Sequence, residues 1–342
     1  MRIGLIALSG VRVRNAELAA LGLTLPGFVR RGRVVAALPS LGLLTVAGLT
    51  PPPHGVTYLE IAELTDQTTL PDFDLVGLSS LTAQIDEAYA IADCYRARGT
   101  PVVMGGLHVS RLPEEALNHC DAVVVGGAEG VWARILEDAA TGALQRRYAG
   151  ATRDVFAPEL YVEPRFDLLR RRPYNRVTVQ TSRGCPRDCE FCGASRLITK
   201  GYQQKPVALV MREIRLARQQ VAHPFFEFAD DNTLLNRAWS LEFLRALRPE
   251  GIRWFTETDV SVAEDPALCD LLAQAGCRQV LIGFESPRAD DLIGPRPCRL
   301  ETPQGTSVPS CDRHASISWR ERQRLFHFGS RCTNTRCLSG DA

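Results

Sequence analysis

The first 142 residues alternate between two apolar patterns. Short runs of consecutive apolar and β-branched residues are typical of strands buried on both faces. Longer stretches lie between them, and two of these end in glycine, as helices often do. The predicted strands are 1–8, 56–63, 74–80, 101–106 and 121–127, and the predicted helices are 40–49, 82–99 and 129–142. This alternation predicts an α/β fold that begins with an open, parallel, Rossmann-like domain.

Small residues gather where these predicted strands end. Open parallel sheets bind ligands beyond the carboxyl ends of their strands, so these positions are candidates for a binding site. The glycines among them have two explanations: a tight strand-to-helix turn, or a ligand that approaches the backbone closely. The residues are Ser79, Ser80, Gly105, Gly106, Gly126 and Gly127.

Residues 143–176 show little periodicity and are rich in arginine and proline. We interpret them as a linker that contains a short hairpin. The run of three arginines at 170–172 is interpreted as a solvated charged segment, because such runs are usually exposed to water.

The alternation resumes at residue 177 and predicts a second unit. Its strand patterns occupy 177–184, 225–231, 252–259 and 279–286, with helical patterns at 206–222 and 239–251 between them. This order is typical of a (β/α) barrel, whose chemistry lies at the carboxyl ends of the strands. Those ends carry Cys185, Asp230, Asp231, Glu257, Asp259 and Glu285.

Composition narrows the class of protein. A chain of 342 residues with 45% hydrophobic residues and a net charge of +1 is typical of a globular protein with no attraction to nucleic acid or anionic lipid. The first apolar run is interrupted by arginines too early for a signal peptide, and no stretch predicts a membrane span. A cytoplasmic location is therefore expected, where eleven cysteines do not predict a disulfide framework.

Three of the cysteines form a compact motif. Cys185, Cys189 and Cys192 have the spacing C-x3-C-x2-C. A structural zinc site needs four ligands, and no fourth thiol or histidine is close in sequence. Three thiolates instead suit a cubane iron–sulfur cluster in which one iron stays open to another ligand.

This motif resembles the cluster loop of the radical S-adenosylmethionine (SAM) enzymes. Its spacing agrees, Phe191 precedes the last cysteine, and the loop follows the first predicted barrel strand. The resemblance implies a [4Fe-4S] cluster whose open iron binds SAM and whose electron cleaves SAM to methionine and a 5′-deoxyadenosyl radical. It also implies an electron donor such as flavodoxin or ferredoxin.

Other positions follow the family pattern less closely. Asp230 and Asp231 stand where the family often binds the SAM amino group, and the alternative is that they cap a helix. Glu285 resembles an acidic residue near the SAM ribose. Glu257 and Asp259 point toward substrate if the barrel is correct, or are plain polar strand ends.

The first domain resembles the cobalamin-binding (B12) domain of one radical SAM class. Ser79-x-Leu81 and Gly105-Gly106 match elements that hold the corrin's nucleotide tail in that domain. No Asp-x-His-x-x-Gly motif follows the first strand, and His54 and His108 have the wrong context for an axial ligand. The resemblance therefore implies cobalamin bound without histidine ligation, or a domain that has lost its corrinoid.

The last 48 residues differ from the rest. They carry no apolar period, and four of the eleven cysteines lie there without a recognisable ligand spacing. We expect residues 295–342 to be a disordered, non-native tail of a truncated or out-of-frame chain.

Together these predictions define four segments: a cobalamin-binding-like domain (1–142), a linker (143–176), a partial radical SAM barrel (177–294) and the tail. The expected function is reductive cleavage of SAM, with cobalamin, for methylation or rearrangement of a small-molecule or lipid substrate. The alternatives are an inactive corrinoid- or SAM-binding remnant and a radical SAM enzyme that does not use B12.

Overall fold

The computed structural model describes residues 1–8, 11–12, 34–36, 38–61, 64–65, 68–151, 153–169, 174, 176–187, 192 and 201–282. The predicted tail and the arginines at 170–172 lie outside these ranges. Among the residues that the structure describes, no helix has the length and apolar character needed to cross a membrane.

Six parallel strands form the first sheet, in the order β4-β1-β5-β6-β7-β8. The order reverses direction between β1 and β5, and such switch points are where open parallel sheets bind ligands. The strands are β1 (Arg2–Leu8), β4 (Gly55–Ile61), β5 (Leu75–Ser79), β6 (Val102–Gly105), β7 (Ala122–Val125) and β8 (Arg147–Ala149). A separate antiparallel pair joins β2 (Val11–Arg12) and β3 (Val34–Ala36).

Helices cover both faces of this sheet, which explains the nearly continuous apolar runs of its strands. Ile3 and Leu5 of β1 are buried in one apolar cluster with residues of the helices at Leu41–Gly48 and Trp132–Ala140, whereas Ile6 is buried on the opposite face with residues of the helix at Ile85–Ala97. The helices are α1 (Leu41–Gly48), α2 (Ile85–Ala97), α3 (Leu107–Arg111), α4 (Pro113–Ala116) and α5 (Trp132–Ala140). A 3₁₀ turn, Thr82–Gln84, precedes α2.

Four parallel strands form the second sheet, in the order β14-β13-β12-β9. They are β9 (Arg176–Val179), β12 (Phe225–Phe228), β13 (Arg253–Thr258) and β14 (Cys277–Ile282). The short strands β10 (Ser182–Arg183) and β11 (Gln203–Gln204) pair antiparallel beyond the end of β9. The helices are α6 (Val207–Gln220), α7 (Arg237–Leu247) and α8 (Pro266–Gln274), and 3₁₀ turns occupy Phe166–Leu169, Arg248–Glu250 and Val260–Glu264.

One apolar cluster continues from the first sheet into the second, so the two units share a core. The connecting segment is attached to both. The Arg165 N–H donates to the Leu44 carbonyl of α1 at 3.0 Å. A side chain at Gly48 would collide with the Glu163 carbonyl, which shows how closely this segment lies against α1. The Tyr174 hydroxyl donates to Glu60 of β4 at 2.9 Å.

The predicted fold class, an open parallel α/β domain followed by a partial β/α barrel, is confirmed. Two details differ. β8 lies in the segment interpreted as a linker, and it extends the first sheet by pairing with β7. β14 begins at Cys277, two residues before the predicted start.

Candidate functional site

The two glycines after β6, at the carboxyl edge of the first sheet, differ in what an added side chain would meet. Gly106 follows β6 with φ +102°, a conformation that glycine adopts readily and other residues rarely do. A Cβ atom there would lie 2.7 Å from the Ser79 hydroxyl oxygen. At Gly105 a Cβ would be 3.7 Å from Val124, an ordinary contact. The predicted pair therefore contains one position that requires glycine and one that tolerates a methyl group.

Apolar side chains stand exposed beside these turns. Leu81, two residues after β5, is 55% exposed, and Leu107, directly after Gly106, is 53% exposed. The Gly126 turn after β7 is fixed by a hydrogen bond from its N–H to the Ser110 hydroxyl at 3.0 Å. Backbone N–H groups, a hydroxyl and exposed apolar carbon together suit a large ligand with a polar tail and an apolar ring edge.

The two histidines considered as axial ligands lie at opposite edges of the first sheet. His108 is buried, and its two ring nitrogens lie 3.2 Å from the Thr82 hydroxyl and 3.1 Å from the Glu115 carboxylate. His54 precedes β4 and therefore lies at the opposite, amino edge of the sheet. That neither residue is an axial ligand stays a prediction. The edge fits a corrinoid held by its tail and without histidine ligation.

The cysteine loop begins beyond the end of β9. Cys185 and Cys192 are partly buried thiols outside any disulfide, and Cys189 and Phe191 lie outside the described residues. Burial raises the pKa of the Cys185 thiol, the nearby Cys192 adds to this, and a hydrogen bond from the Arg187 N–H opposes it. Backbone N–H donors to sulfur also stabilise thiolates bound to iron. The described part of the loop fits a three-cysteine cluster.

Asp230, at the end of β12, holds the chain that leads into this loop. Its carboxylate accepts hydrogen bonds from the Thr181 N–H at 2.7 Å, the Thr181 hydroxyl at 2.5 Å and the Ser182 N–H at 2.8 Å. The Thr233 hydroxyl donates a fourth bond at 2.7 Å. Burial raises the pKa of Asp230, and these four donors oppose that shift. The side chain is enclosed, and its contacts are with the protein's own backbone and hydroxyl groups.

Asp231 forms a hydrogen bond with the same segment, closer to the first cysteine. Its carboxylate accepts a hydrogen bond from the Gly184 N–H, directly before Cys185. It is exposed at the mouth of the sheet, so contact with the SAM amino group stays a prediction for this residue. The alternative of helix capping does not fit, because Asn236 caps α7 through a hydrogen bond from the Trp239 N–H.

The residue directly after β13 also contacts the cysteine loop. Asp259, directly after β13, accepts hydrogen bonds from Arg187 at 3.0 Å and from the Asn232 amide at 2.9 Å. Burial acts to raise the pKa of Asp259, but hydrogen bonds from Ser261, Asn232 and Arg187 outweigh it and hold the pKa below its ordinary value.

The face of the second sheet that carries Glu227 combines charged and aromatic side chains: the Arg176 guanidinium carbon lies 5.5 Å from the centre of the Phe225 ring and 5.9 Å from that of Phe255. Glu227 of β12 is paired with Arg176 of β9 at 2.7 Å. Desolvation at this face, followed by the charges of Glu227 and Asp231, raises the pKa of Glu257 on β13. Glu285, the predicted ribose contact, lies outside the described residues. Contact of Glu257 and Asp259 with substrate stays a prediction.

Several residues of the site were not predicted from sequence. Thr181, Asn232 and Arg187 complete the aspartate networks, and Glu129 pairs with Arg183 at 3.0 Å between the two units. Their partners are distant in sequence, so periodicity gives no signal for them. Only the position of Arg183, two residues before Cys185, could have drawn attention to it.

Comparisons with known proteins identify the class. A model of the radical SAM superfamily matches residues 179–304, and a model of the B12 binding domain matches residues 31–136. The chain belongs to the B12-binding radical SAM proteins. The cofactor prediction is thereby confirmed at the level of the family, since these domains imply a [4Fe-4S] cluster, SAM and cobalamin.

Particular relatives add detail. Bacteriochlorophyllide d C-8(2)-methyltransferase of Chlorobaculum tepidum is 33% identical over 270 residues, which cover 74% of this chain and 58% of that protein. Hopanoid C-2 methylase of Rhodopseudomonas palustris is 26% identical over 273 residues, covering 74% of this chain and 50% of that protein. The chain thus spans little more than half the length of the first of these relatives.

Solved structures share the fold. The radical SAM methyltransferase TsrM from Kitasatospora setae, with cobalamin and a [4Fe-4S] cluster bound, superposes with a TM-score of 0.60 at 19% identity, covering 84% of this chain and 59% of that one. OxsB, with aqua-cobalamin and SAM bound, gives a TM-score of 0.61 at 16% identity, covering 85% and 45%.

Proposed function

We propose that this chain transfers methyl groups to carbon atoms of a small-molecule or lipid substrate, as a cobalamin-dependent radical SAM methyltransferase. One observation carries the proposal: loops at the carboxyl ends of the two sheets meet. Glu129 follows β7 of the corrinoid-type sheet, Arg183 follows β9 of the radical SAM sheet, and their side chains pair at 3.0 Å. Two cofactors bound over these edges would share one cavity.

The residues divide the work between the edges. Gly106 and Ser79 shape the turn that admits the corrinoid tail, and Leu81 offers it apolar contact. Cys185, Cys189 and Cys192 hold the cluster. When bound, the cluster and SAM supply a substrate radical by hydrogen abstraction, and cobalamin supplies the methyl group. An electron donor such as flavodoxin or ferredoxin reduces the cluster.

Asp231 is the candidate for the SAM amino group, because its carboxylate is exposed next to the first cysteine. Glu285 is the candidate for the ribose. The division of the chain into a first domain to residue 142, a segment to 176 and a barrel from 177 remains part of the proposal, with β8 assigned to the first sheet.

The substrate class rests on the relatives. Among them are enzymes named for methylation of bacteriochlorophyllide d and of hopanoids, which are large and mostly apolar molecules. Neither the inactive remnant nor an enzyme that ignores B12 is favoured by these comparisons. We therefore propose a substrate of the tetrapyrrole or polycyclic lipid class.

The test is anaerobic reconstitution with iron, sulfide and hydroxocobalamin, followed by incubation with methyl-labelled SAM, a reductant, and a bacteriochlorophyllide or a hopanoid. The expected result is 5′-deoxyadenosine together with labelled product that depends on cobalamin. Formation of 5′-deoxyadenosine with equal yield in the absence and presence of cobalamin, and no transferred label, would overturn the methyltransferase assignment.

A further inference from the structure

Beside the shared apolar core, one ion pair between buried Glu129 and partly buried Arg183 links the two units. Glu129 is 5% exposed, and its carboxylate accepts a hydrogen bond from the Arg183 guanidinium at 3.0 Å. The same guanidinium donates to the Gln180 side-chain oxygen, from Nε at 3.3 Å and from Nη2 at 3.1 Å. Arginine can make these bonds together because its donors form a rigid planar fork.

Each partner is attached to a different cofactor segment. Glu129 lies two residues after the Gly126–Gly127 turn, and a side chain at Gly127 would collide with the Glu129 carboxylate. Arg183 lies two residues before Cys185, and its backbone pairs with Gln203 in the β10–β11 ladder. A displacement of either side chain would therefore affect both the Gly126–Gly127 turn and the position of Cys185.

The surroundings leave this pair little freedom. The Arg183 guanidinium carbon lies 5.8 Å from the centre of the Phe156 ring, and the Lys205 ammonium lies 5.1 Å from the same ring. Lys205 is in turn paired with the buried Glu213 at 2.7 Å. The cavity at this junction measures about 20 Å³, room for about one water molecule.

We propose that Glu129 and Arg183 are positioning residues that couple the corrinoid site to the cluster loop, so that each cofactor binds more tightly when the other is in place. The inference rests on the proposed function in one respect, that both cofactors bind. Because both would stabilise the same pairing of loops, their binding free energies are linked through it, and the linkage is reciprocal. Radical transfer also needs the reacting atoms fixed to within about 1 Å, which a rigid junction provides.

The experiment measures hydroxocobalamin affinity by anaerobic absorbance titration of the full chain, once without iron and once after cluster reconstitution. For the unchanged protein we expect the dissociation constant to fall about 5-fold or more when the cluster is present. In Glu129→Gln and in Arg183→Met the ratio of the two constants should fall below about 2. The double variant should show the same ratio as each single variant, since all three remove one interaction.

Tyr174→Phe is the matched control. It removes a hydrogen bond between the connecting segment and Glu60, on the first sheet but away from the Gly126–Gly127 turn. A variant that only destabilises the protein raises both hydroxocobalamin dissociation constants, with and without the cluster, and leaves their ratio unchanged. Tyr174→Phe should therefore keep the ratio of the unchanged protein. Arg215→Met, which breaks an exposed pair with Glu250, tests the loss of an arginine charge by itself.

The outcomes separate the two claims. If the unchanged protein shows the ratio and Glu129→Gln keeps it, the coupling role is wrong while the proposed function stands. If the unchanged protein binds hydroxocobalamin with the same dissociation constant with and without the cluster, the coupling proposal is also wrong. If the protein binds no hydroxocobalamin with or without the cluster, the proposed function fails and the coupling fails with it.

Discussion

The two sheet edges prepare for ligands in opposite ways. At the first edge the turns carry Gly106 and Ser79, and a side chain at position 106 would collide with the Ser79 hydroxyl. At the second edge Asp230, Asp231 and Asp259 follow the strands, and the space is organised by charge and hydrogen bonds. The first edge should therefore be sensitive to added bulk and the second to lost carboxylates, which makes the difference testable.

At the second edge, two of the aspartates form hydrogen bonds with the protein's own backbone. Asp230 and Asp231 together hold three backbone N–H groups between Thr181 and Gly184. A loop that must present three cysteines to one cluster gains from such fixed supports, because ligands placed loosely lose metal affinity. The first edge has no comparable need, since a corrinoid brings its own rigid ring.

The largest effect is expected from the cysteines of the second edge. Replacing Cys185, Cys189 and Cys192 together by alanine should abolish iron binding and the broad visible absorption of a reconstituted cluster, because no thiolate of the loop remains. Iron analysis and absorbance spectra check this. Cys94→Ala is the control: Cys94 lies on α2, which packs against the first sheet, and this variant should keep the full iron content. A triple variant that retains a full cluster would contradict the assignment.

Loss of Asp230 should have the next largest effect, on folding. Asp230→Ala leaves the Thr181 N–H, the Thr181 hydroxyl and the Ser182 N–H buried without their acceptor, which costs about 3 kcal/mol or more in the free energy of unfolding. Asp231→Ala loses one N–H contact at an exposed position and should cost about 1 kcal/mol. Urea unfolding of both variants without the cluster checks the difference. Equal losses would show that Asp230 does not support the loop.

Added bulk should break the first edge. Gly106 has φ +102° and ψ −175°, a region populated almost only by glycine, so Gly106→Ala should cost about 1–3 kcal/mol and weaken hydroxocobalamin binding. Two controls bracket it. Gly99→Ala has a positive φ of +76° with open space around it, and should lose stability but keep affinity. Gly105→Ala should keep both, and a loss of affinity there equal to that of Gly106→Ala would refute the packing argument.

The elements that can be predicted from the sequence are those whose burial produces a distinct pattern of apolar residues. β1, β5, β6 and β7 are covered by helices on both faces, so their residues are consecutively apolar and easy to recognise. β8 has a single buried residue, Tyr148, between two exposed ones, and such a pattern does not differ from that of a loop.

The site divides in the same way. The cysteine motif is local, so its spacing alone indicated the cluster loop. The contacts that support it are not local: Asp230 lies 49 residues from Thr181, and Glu129 lies 54 residues from Arg183. One sequence read along its length cannot pair such residues, and only the fold brings them together.

The smallest effect concerns acid stability at the second edge. The fold holds the pKa of Asp259 below its ordinary value, so it favours the ionised carboxylate. The resulting stabilisation is fully present above the unfolded-state pKa of about 3.9 and is lost as pH falls through the folded-state pKa. Asp259→Asn removes the carboxylate, so the variant should be slightly less stable than the unchanged protein at pH 7.

The stabilities of the unchanged protein and of Asp259→Asn should become more similar as pH falls. Urea midpoints measured without the cluster between about pH 6 and pH 3 should fall more steeply for the unchanged protein than for Asp259→Asn. Ser261→Ala keeps the carboxylate but removes a donor to it, so its curve should lie between the other two. Parallel curves for all three would mean that Asp259 is not held ionised by its donors. The second edge would then depend on the geometry of its hydrogen bonds, as the first edge depends on the geometry of its turns.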